Sequence, residues 1–314
     1  MKFIEEAPEN LMFASRWIMA PFYFGLVICL LFSSKSIAEI DRTFPLSDDE
    51  YFQKIDSLNW QYSSPIVLDG HDATIVHNEK FEYLNDANEV NQILFWHTGQ
   101  EDTFRDLFAY YYYDPEDYFK HINLVLNKFN NDGYVKIDDW KDLNPDELIR
   151  QKKENAKINN EKRKEIGVDL VENVEWIEYP SLDKNSNSVS YSFKVTWSDG
   201  SENMNKFLII LGRNGYSEFE IVSTFGLEEE FKAARDLSYL LQNNFSYNPQ
   251  FEYKDFKPGD KVAAYGIAAL VATSLGVKGL AKAGGILVAL KKFWYILLLP
   301  FIFLFKLITG RKDK

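Results

Sequence analysis

The chain has 314 residues, about twice the ~150 of a usual domain. It is 46% hydrophobic, 16% aromatic and 26% charged, which excludes a collagen, an acidic disordered chain and a disulfide-stapled miniprotein, and is enough for a large core. The net charge of -12 hides an asymmetry: residues 261–314 carry nine lysines and arginines against Asp313 alone, so the acidic excess lies in the middle of the chain.

An acidic body repels phosphate backbones, so nucleic acid is not expected as a partner. The basic tail is set among apolar runs, which points to anionic lipid headgroups. Cys29 is the lone cysteine, so no intrachain disulfide and no cysteine-held metal is expected. With apolar Ile28 and Leu30 beside it, Cys29 reads as a buried small hydrophobe.

In chain order, the first element is apolar. Between Arg16 and Lys35 lie 18 uncharged residues, long enough at ~1.5 Å each to cross a hydrocarbon core. Ser36-Ile37-Ala38 has the small-x-small form of a signal cleavage site, but Glu5, Glu6 and Glu9 make a poor positive leader, which favours an uncleaved anchor. Ser47-Asp48-Asp49-Glu50 is a capping box and predicts a short helix to about Leu58. Pro65–Asp69 and Ala73–His77 predict two strands around the turn Gly70-His71-Asp72, and Ile93–Trp96 and Leu107–Tyr113 two more.

Pro145, followed by Asp146 and Glu147, predicts a helix closed by Gly167. Its apolar stripe is thin, so most of it is expected to face water. Val189, Tyr191, Phe193, Val195 and Trp197 alternate with Ser190, Ser192, Lys194 and Thr196, which predicts a strand with one wet face and hence an antiparallel sheet. Turn signals at Asp199-Gly200 and Asn214-Gly215 link it to Phe207–Leu211 and Ser217–Val222, with Val174–Tyr179 as a fourth strand. Glu228-Glu229-Glu230 opens a helix whose buried stripe is Leu227, Phe231, Ala234, Leu237 and Leu241.

The C-terminal part is apolar again. Val262–Val277 gives 16 uncharged residues and Phe293–Gly310 a second run interrupted by Lys306, with Trp294 and Tyr295 where an aromatic belt would sit. Either both runs span as a hairpin or only the last one does. Ala264, Gly266, Ala268, Ala269 and Ala272 favour close helix packing and tilt the choice toward the hairpin. The expected class is therefore α+β: an antiparallel β-meander with packing helices, flanked by N- and C-terminal transmembrane helices. Residues 1–38 form an anchor or signal-like helix, 39–258 the acidic body, and 259–314 a membrane hairpin or anchor.

Chemistry is sparse. Serine-hydrolase, zincin, phosphate-loop and dinucleotide motifs are absent from the sequence. His71 and His77 lie near Asp69, Asp72 and Glu79 and could converge on a metal across a hairpin, though strand pairing does not force it; His97 and His121 stand apart. Aligning Gly133 to the invariant glycine of a calcium loop puts Asn130 and Asp132 at ligand positions, but it also puts Lys128, a cation, at the first position and Asp139 at the last. A turn into a strand fits that stretch better. Tyr110–Tyr113 could wall a ligand pocket, but such a run is more often a strand with half its rings in the core. No catalytic, cofactor-binding or metal residue is assigned, and no cofactor is expected.

The segment Pro258-Gly259-Asp260-Lys261-Val262-Ala263-Ala264-Tyr265-Gly266, entered through Phe245-Ser246-Tyr247-Asn248-Pro249 and Tyr253-Lys254-Asp255-Phe256, resembles a bacterial family of membrane-anchored proteins, the domain-of-unknown-function family 2167. The resemblance takes in Gly133-Tyr134-Val135-Lys136-Ile137-Asp138-Asp139, Asn160-Glu161-Lys162-Arg163-Lys164 and Lys291-Lys292-Phe293-Trp294, and covers roughly residues 55–310. It implies an extracytoplasmic α+β domain tethered at its C-terminus to the bacterial inner (cytoplasmic) membrane, and it carries no catalytic residues over. Pro115–Asn131 looks longer than the family's corresponding loop. The stretch from Glu9 through Arg16 and Pro21 to Gly25 resembles the opening of the YqhA family of inner-membrane proteins.

Three functions follow as expectations. The leading one is a non-enzymatic envelope protein whose acidic domain contacts another protein or an envelope component. The second is a small-ligand or lipid-binding module using the Tyr110–Tyr113 and Trp197 faces. The third is a hydrolase built from Asp138, Asp139 and the histidines.

Overall fold

The computed structural model describes residues 41–43, 46–68, 70–77, 81–98, 105–112, 122–166, 169–223 and 228–277. The elements are α1 (Asp48–Asp56), β1 (Ile66–Leu68), β2 (Ala73–Ile75), β3 (Phe81–Leu84), α2 (Ala87–Thr98), β4 (Leu107–Tyr112), β5 (Ile122–Asn130) and β6 (Tyr134–Lys136). They continue with α3 (Pro145–Ile166), β7 (Val171–Asp183), β8 (Ser188–Trp197), β9 (Glu202–Leu211), β10 (Tyr216–Ser223), α4 (Glu228–Asn244), β11 (Phe245–Tyr247), β12 (Val262–Gly266) and α5 (Ile267–Ser274).

The expected α+β architecture is present. A seven-stranded antiparallel sheet runs in the order β3-β4-β5-β10-β9-β8-β7. Its β7–β10 half is the predicted meander, and Gly200 takes the left-handed φ of +83° that the Asp199-Gly200 turn demands. A small antiparallel sheet, β1-β2-β11, and the parallel pair β12-β6 complete it.

Side-chain alternation gives the large sheet two buried faces. Along β9, Met204, Leu208 and Ile210 enter one core with Phe219 and Ile221, which α4 covers with Ala234, Leu237 and Leu241. Phe207, Ile209 and Leu211 enter the other, with Val189, Tyr191, Phe193, Val195 and Trp197 of β8. That second face is covered by α3 and α5. Over Phe108, Leu124 and Leu126, α2 packs Val90, Ile93 and Leu94.

Helix starts follow local chemistry. At α1 the Ser47 hydroxyl accepts from Glu50 N while the Glu50 carboxylate accepts from Ser47 N, the predicted capping box, and the helix ends at Asp56. At α2 the Asp86 carboxylate accepts from the backbone N–H groups of Asn88 and Glu89.

Three expectations are corrected. Ile93–Trp96 lies in helix α2 rather than a strand, because the cap at Asp86 and the buried triplet Val90, Ile93, Leu94 carry a helical period. Half of Pro115–Asn131 is no loop but β5, a central strand. Helix α3 turns most of its surface to water, as expected, while its thin inner stripe buries Leu148, Lys152, Ala156 and Arg163. Val262–Val277 does not form a membrane arm. It is β12 followed by the eight-residue α5, whose Ile267, Leu270, Val271 and Ala272 are buried in the sheet's core together with Leu275 and Val277. The body thus continues past 258 into this segment. Among the described residues no helix is long and apolar enough to cross a membrane. The run between Arg16 and Lys35, Cys29, the YqhA-like opening and Phe293–Gly310 lie outside the described residues.

Candidate functional site

The turn between β1 and β2 is tight, with Gly70 at φ +80° and Asp72 at φ 49°. His71 N donates to Leu68 O at 3.1 Å, and Asp72 O accepts from Asn248 N at 2.6 Å, so both ends of the turn are tied down. This drives the His71 ring inward, where it is 6% exposed and stacks on Phe129 of β5 with centroids 4.9 Å apart. Its Nε2 lies 3.4 Å from Asp106 Oδ2, and that same oxygen accepts from Phe129 N at 2.7 Å. The backbone therefore fixes the carboxylate that faces the imidazole. The other ring nitrogen, Nδ1, is buried without a hydrogen-bond partner.

Two further turns close around it. Gly212 N donates to Gly215 O at 2.8 Å. A Cβ on Gly215 would sit 1.9 Å from Asn130 O, and one on Gly212 would sit 2.7 Å from the Tyr247 ring, so glycine alone allows the β9–β10 turn to approach β5 and β11. The result is a small open cleft beside His71 and Asp72, walled by Phe129, Tyr247 and Phe251 and rimmed by Asn131 and Asn214. The Tyr247 hydroxyl is already spent on Ile210 O at 2.9 Å. Among the described residues no lysine or arginine lines the cleft.

A second set of ionisable groups lies under α3. Lys152 is 2% exposed; its Nζ donates to Leu275 O at 3.1 Å and lies 4.2 Å from the Phe193 ring centre. Burial drags its pKa down to about 7, against a partial pull upward from Glu220. Glu220 pairs with Arg105 at 3.1 Å, and burial raises the pKa of both Glu220 and its neighbour Glu218. Arg163 lies 4.7 Å from the Trp197 ring centre, and Trp197 Nε1 donates to Asn203 Oδ1 at 2.7 Å. Perturbed groups like these also mark catalytic sites, but Phe193 and Leu275 close over Lys152, and it does not line the cleft.

The residues singled out in the sequence fall elsewhere. His71 and His77 flank β2, six positions apart and so roughly 20 Å along an extended chain, and His77 Nε2 contacts Ser63 O at 2.7 Å. They do not converge. Among the described residues no group of three or more His, Cys, Asp or Glu is placed to hold a metal. Asp69, Glu79 and His121 lie outside the described residues. Asp132 takes a hydrogen bond from the Tyr265 hydroxyl. Gly133, at φ +103°, lets β12 in, since a Cβ there would meet Lys261 O at 2.7 Å. Asp139 accepts from Ala268 N at 3.4 Å at the start of α5, so it acts as a helix cap supplied from 129 residues away. Asp138 is exposed, and neither aspartate lines the cleft that holds His71. Tyr111 is buried against Phe81, Tyr110 stacks on Trp60 at 5.4 Å, and Trp197 is in the core, so these aromatic faces are filled by the protein itself.

Residues 61–302 match the family model described as "Protein of unknown function (DUF2167)". The chain belongs to the DUF2167 family. The matched span contains every strand of the fold and helices α2 to α5, while α1 precedes it. No curated protein matches the chain. Among solved structures it is similar to the PsbP protein CyanoP of Synechocystis sp. PCC 6803, at TM-score 0.36 and 10% identity over 60% of this chain and 92% of that one. It is also similar to the Ran-binding protein Mog1p of Saccharomyces cerevisiae, at TM-score 0.32 and 12% identity over 64% and 100%. A third is LpqN of Mycobacterium tuberculosis, a protein involved in cell envelope biogenesis, at 0.29 and 10% over 66% and 100%.

In this DUF2167 chain the motifs that carried the resemblance serve as architecture. Gly133–Asp139 and Pro258–Gly266 meet as β6 and β12 in parallel. Tyr134 lies within stacking distance of Tyr253 and Phe256, at 4.4 and 4.2 Å. Asp260 receives both Nε and Nη2 of Arg213 at 2.8 Å, and this guanidinium holds its carboxyl down to a pKa of about 2. The cleft at His71 was missed in the sequence because its members come from separate segments; the turns Gly70-His71-Asp72 and Asn214-Gly215 were legible, but not their meeting.

Proposed function

We propose that this DUF2167 chain is an envelope protein of the bacterial inner membrane, with its acidic body outside the cytoplasm, acting by binding another protein or an envelope component rather than by catalysis. The observation that carries this reading is the opposition of charge and hydropathy along the chain. An acidic folded body leads, one residue after the buried Val277, into a sequence that is basic and apolar to its end. The separation of His71, His77, Asp138 and Asp139 supports binding over the hydrolase that those residues would have built. Protease added to intact spheroplasts is expected to digest the body and leave the tail; full protection of the body overturns the placement. Crosslinking in living cells then identifies what the acidic surface touches.

A further inference from the structure

We propose that the grip of α3 on Leu275 and Gly276 is a pH-sensitive latch on the end of α5, tight at alkaline pH and loosened as pH falls to neutrality. Two donors form the grip: Lys152 Nζ reaches Leu275 O and Asn155 Nδ2 reaches Gly276 O, each at 3.1 Å. A third tie comes from the sheet, where the Tyr191 and Ser274 hydroxyls share a hydrogen bond at 2.5 Å. Val277 N closes the segment on Ala272 O at 2.9 Å. The basic, apolar sequence begins at the next residue, so the latch sits at the joint between body and tail.

The pH dependence follows from where the amine is held. Lys152 is 2% exposed, beneath Leu275 and against the Phe193 ring, and both of those neighbours are uncharged. Lifting the turn at 275–277 returns the amine to water, which solvates an ammonium; the closed state disfavours the same charge. The ionisable groups around Lys152 do not reverse this. On β10, Glu220 pulls the lysine toward its charged form, but Glu220 is itself buried and paired with Arg105. Glu218, two residues back on that strand, acts on Tyr191, and burial holds the Tyr191 phenol neutral. Helix α5 has no ionisable side chain. Burial therefore outweighs Glu220, and the closed-state pKa of about 7 lies below the ordinary 10.5. Between those values opening takes up one proton, so the open fraction falls about tenfold for each unit that pH rises, and it levels off below about 7. If the body lies outside the cytoplasm, as proposed above, the latch reads the pH of the surroundings; that consequence rests on the placement, whereas the latch rests on the fold alone.

The test is hydrogen exchange of the full chain in detergent, read by mass spectrometry and corrected for the intrinsic exchange rate at each pH. The amides of Leu275, Gly276 and Val277, bonded to Val271 O, Thr273 O and Ala272 O, report opening of the latch. Those of Leu208 and Ile209 in the centre of β9 report unfolding of the sheet. In wild type the 275–277 amides are expected to exchange ahead of β9, with protection rising about tenfold per unit between pH 7 and 9. Lys152→Met is expected to lose that slope. Asn155→Ala, which weakens the grip but leaves the amine in place, is expected to lower protection at 275–277 and keep the slope. The wild-type profile decides the matter without any variant: a flat profile, or exchange at 275–277 that follows β9 at every pH, overturns the proposal. So does an unchanged slope in a folded Lys152→Met protein.

Discussion

Helices α4 and α3 cover opposite faces of the same sheet with different chemistry. On α4 the buried stripe Ala234, Leu237 and Leu241 meets Leu208, Phe219 and Ile221, and the helix docks by removing apolar surface from water. Its buried carboxylate, Glu230, lies in the first turn, where the helix dipole favours negative charge. On α3 the corresponding stripe reads Leu148, Lys152, Ala156, so a cation sits where a leucine would serve. That helix docks by donating. Lys152 and Asn155 give hydrogen bonds to the carbonyls of Leu275 and Gly276, Asn160 exchanges a pair of bonds with the Val171 backbone, and Arg163 donates to Asp169 O. The first mode is insensitive to pH and specifies little beyond shape. The second ties α3 to two particular backbones, the edge strand β7 and the end of α5, at the cost of a buried cation.

The largest effect that would sharpen this contrast is Leu237→Ala, expected to cost about 3 kcal/mol in urea unfolding, and to cost the same at acid and alkaline pH. Lys152→Met should behave differently. The lysine's folded pKa of about 7 lies below its ordinary 10.5, so between those values the unfolded chain binds more protons and wild-type stability rises with pH. Methionine has no proton to contribute, so the mutant lacks that slope. It is expected to be about 1 kcal/mol less stable than wild type near pH 9, through the lost bond to Leu275 O, and to gain on wild type as pH falls toward 7. Parallel stability curves for the two proteins would break the comparison. Asp139→Ala removes the cap from α5, the element that Lys152 grips, and is expected to lower stability by about 1 kcal/mol in thermal unfolding. The smallest effect belongs to the outer side of α3: Ile158 is 70% exposed, and Ile158→Lys should change stability by less than ~0.5 kcal/mol.

The same two helices show where sequence reasoning reached. The acidic start of α4 and its apolar stripe from Phe231 onward were visible, and so was the Pro145 start of α3; Leu227 and Gly167 lie outside the described residues. The thin stripe of α3 was legible too, but its meaning was not. A lysine between Leu148 and Ala156 looks like a break in an amphipathic pattern until the Leu275 carbonyl and the Phe193 ring are seen opposite it. The apolar run Val262–Val277 carried the reverse ambiguity: small and apolar residues suit a membrane helix and a buried core helix equally, and the sheet face that receives Ile267 and Leu270 decided for the core.

The sequence alone determined the meander, because period-two alternation and glycine-bearing turns are local properties that survive any tertiary arrangement. It also determined the division between an acidic body and a basic apolar tail, because charge is counted without a fold. Tertiary structure decided everything that joins distant segments: the pairing of β6 with β12, the capping of α5 by Asp139, the burial of Lys152, and the meeting of His71 with Asp106 and Phe129. Such contacts are selected by packing and by the need to satisfy buried polar groups, and these act between residues whose separation in sequence carries no trace of them.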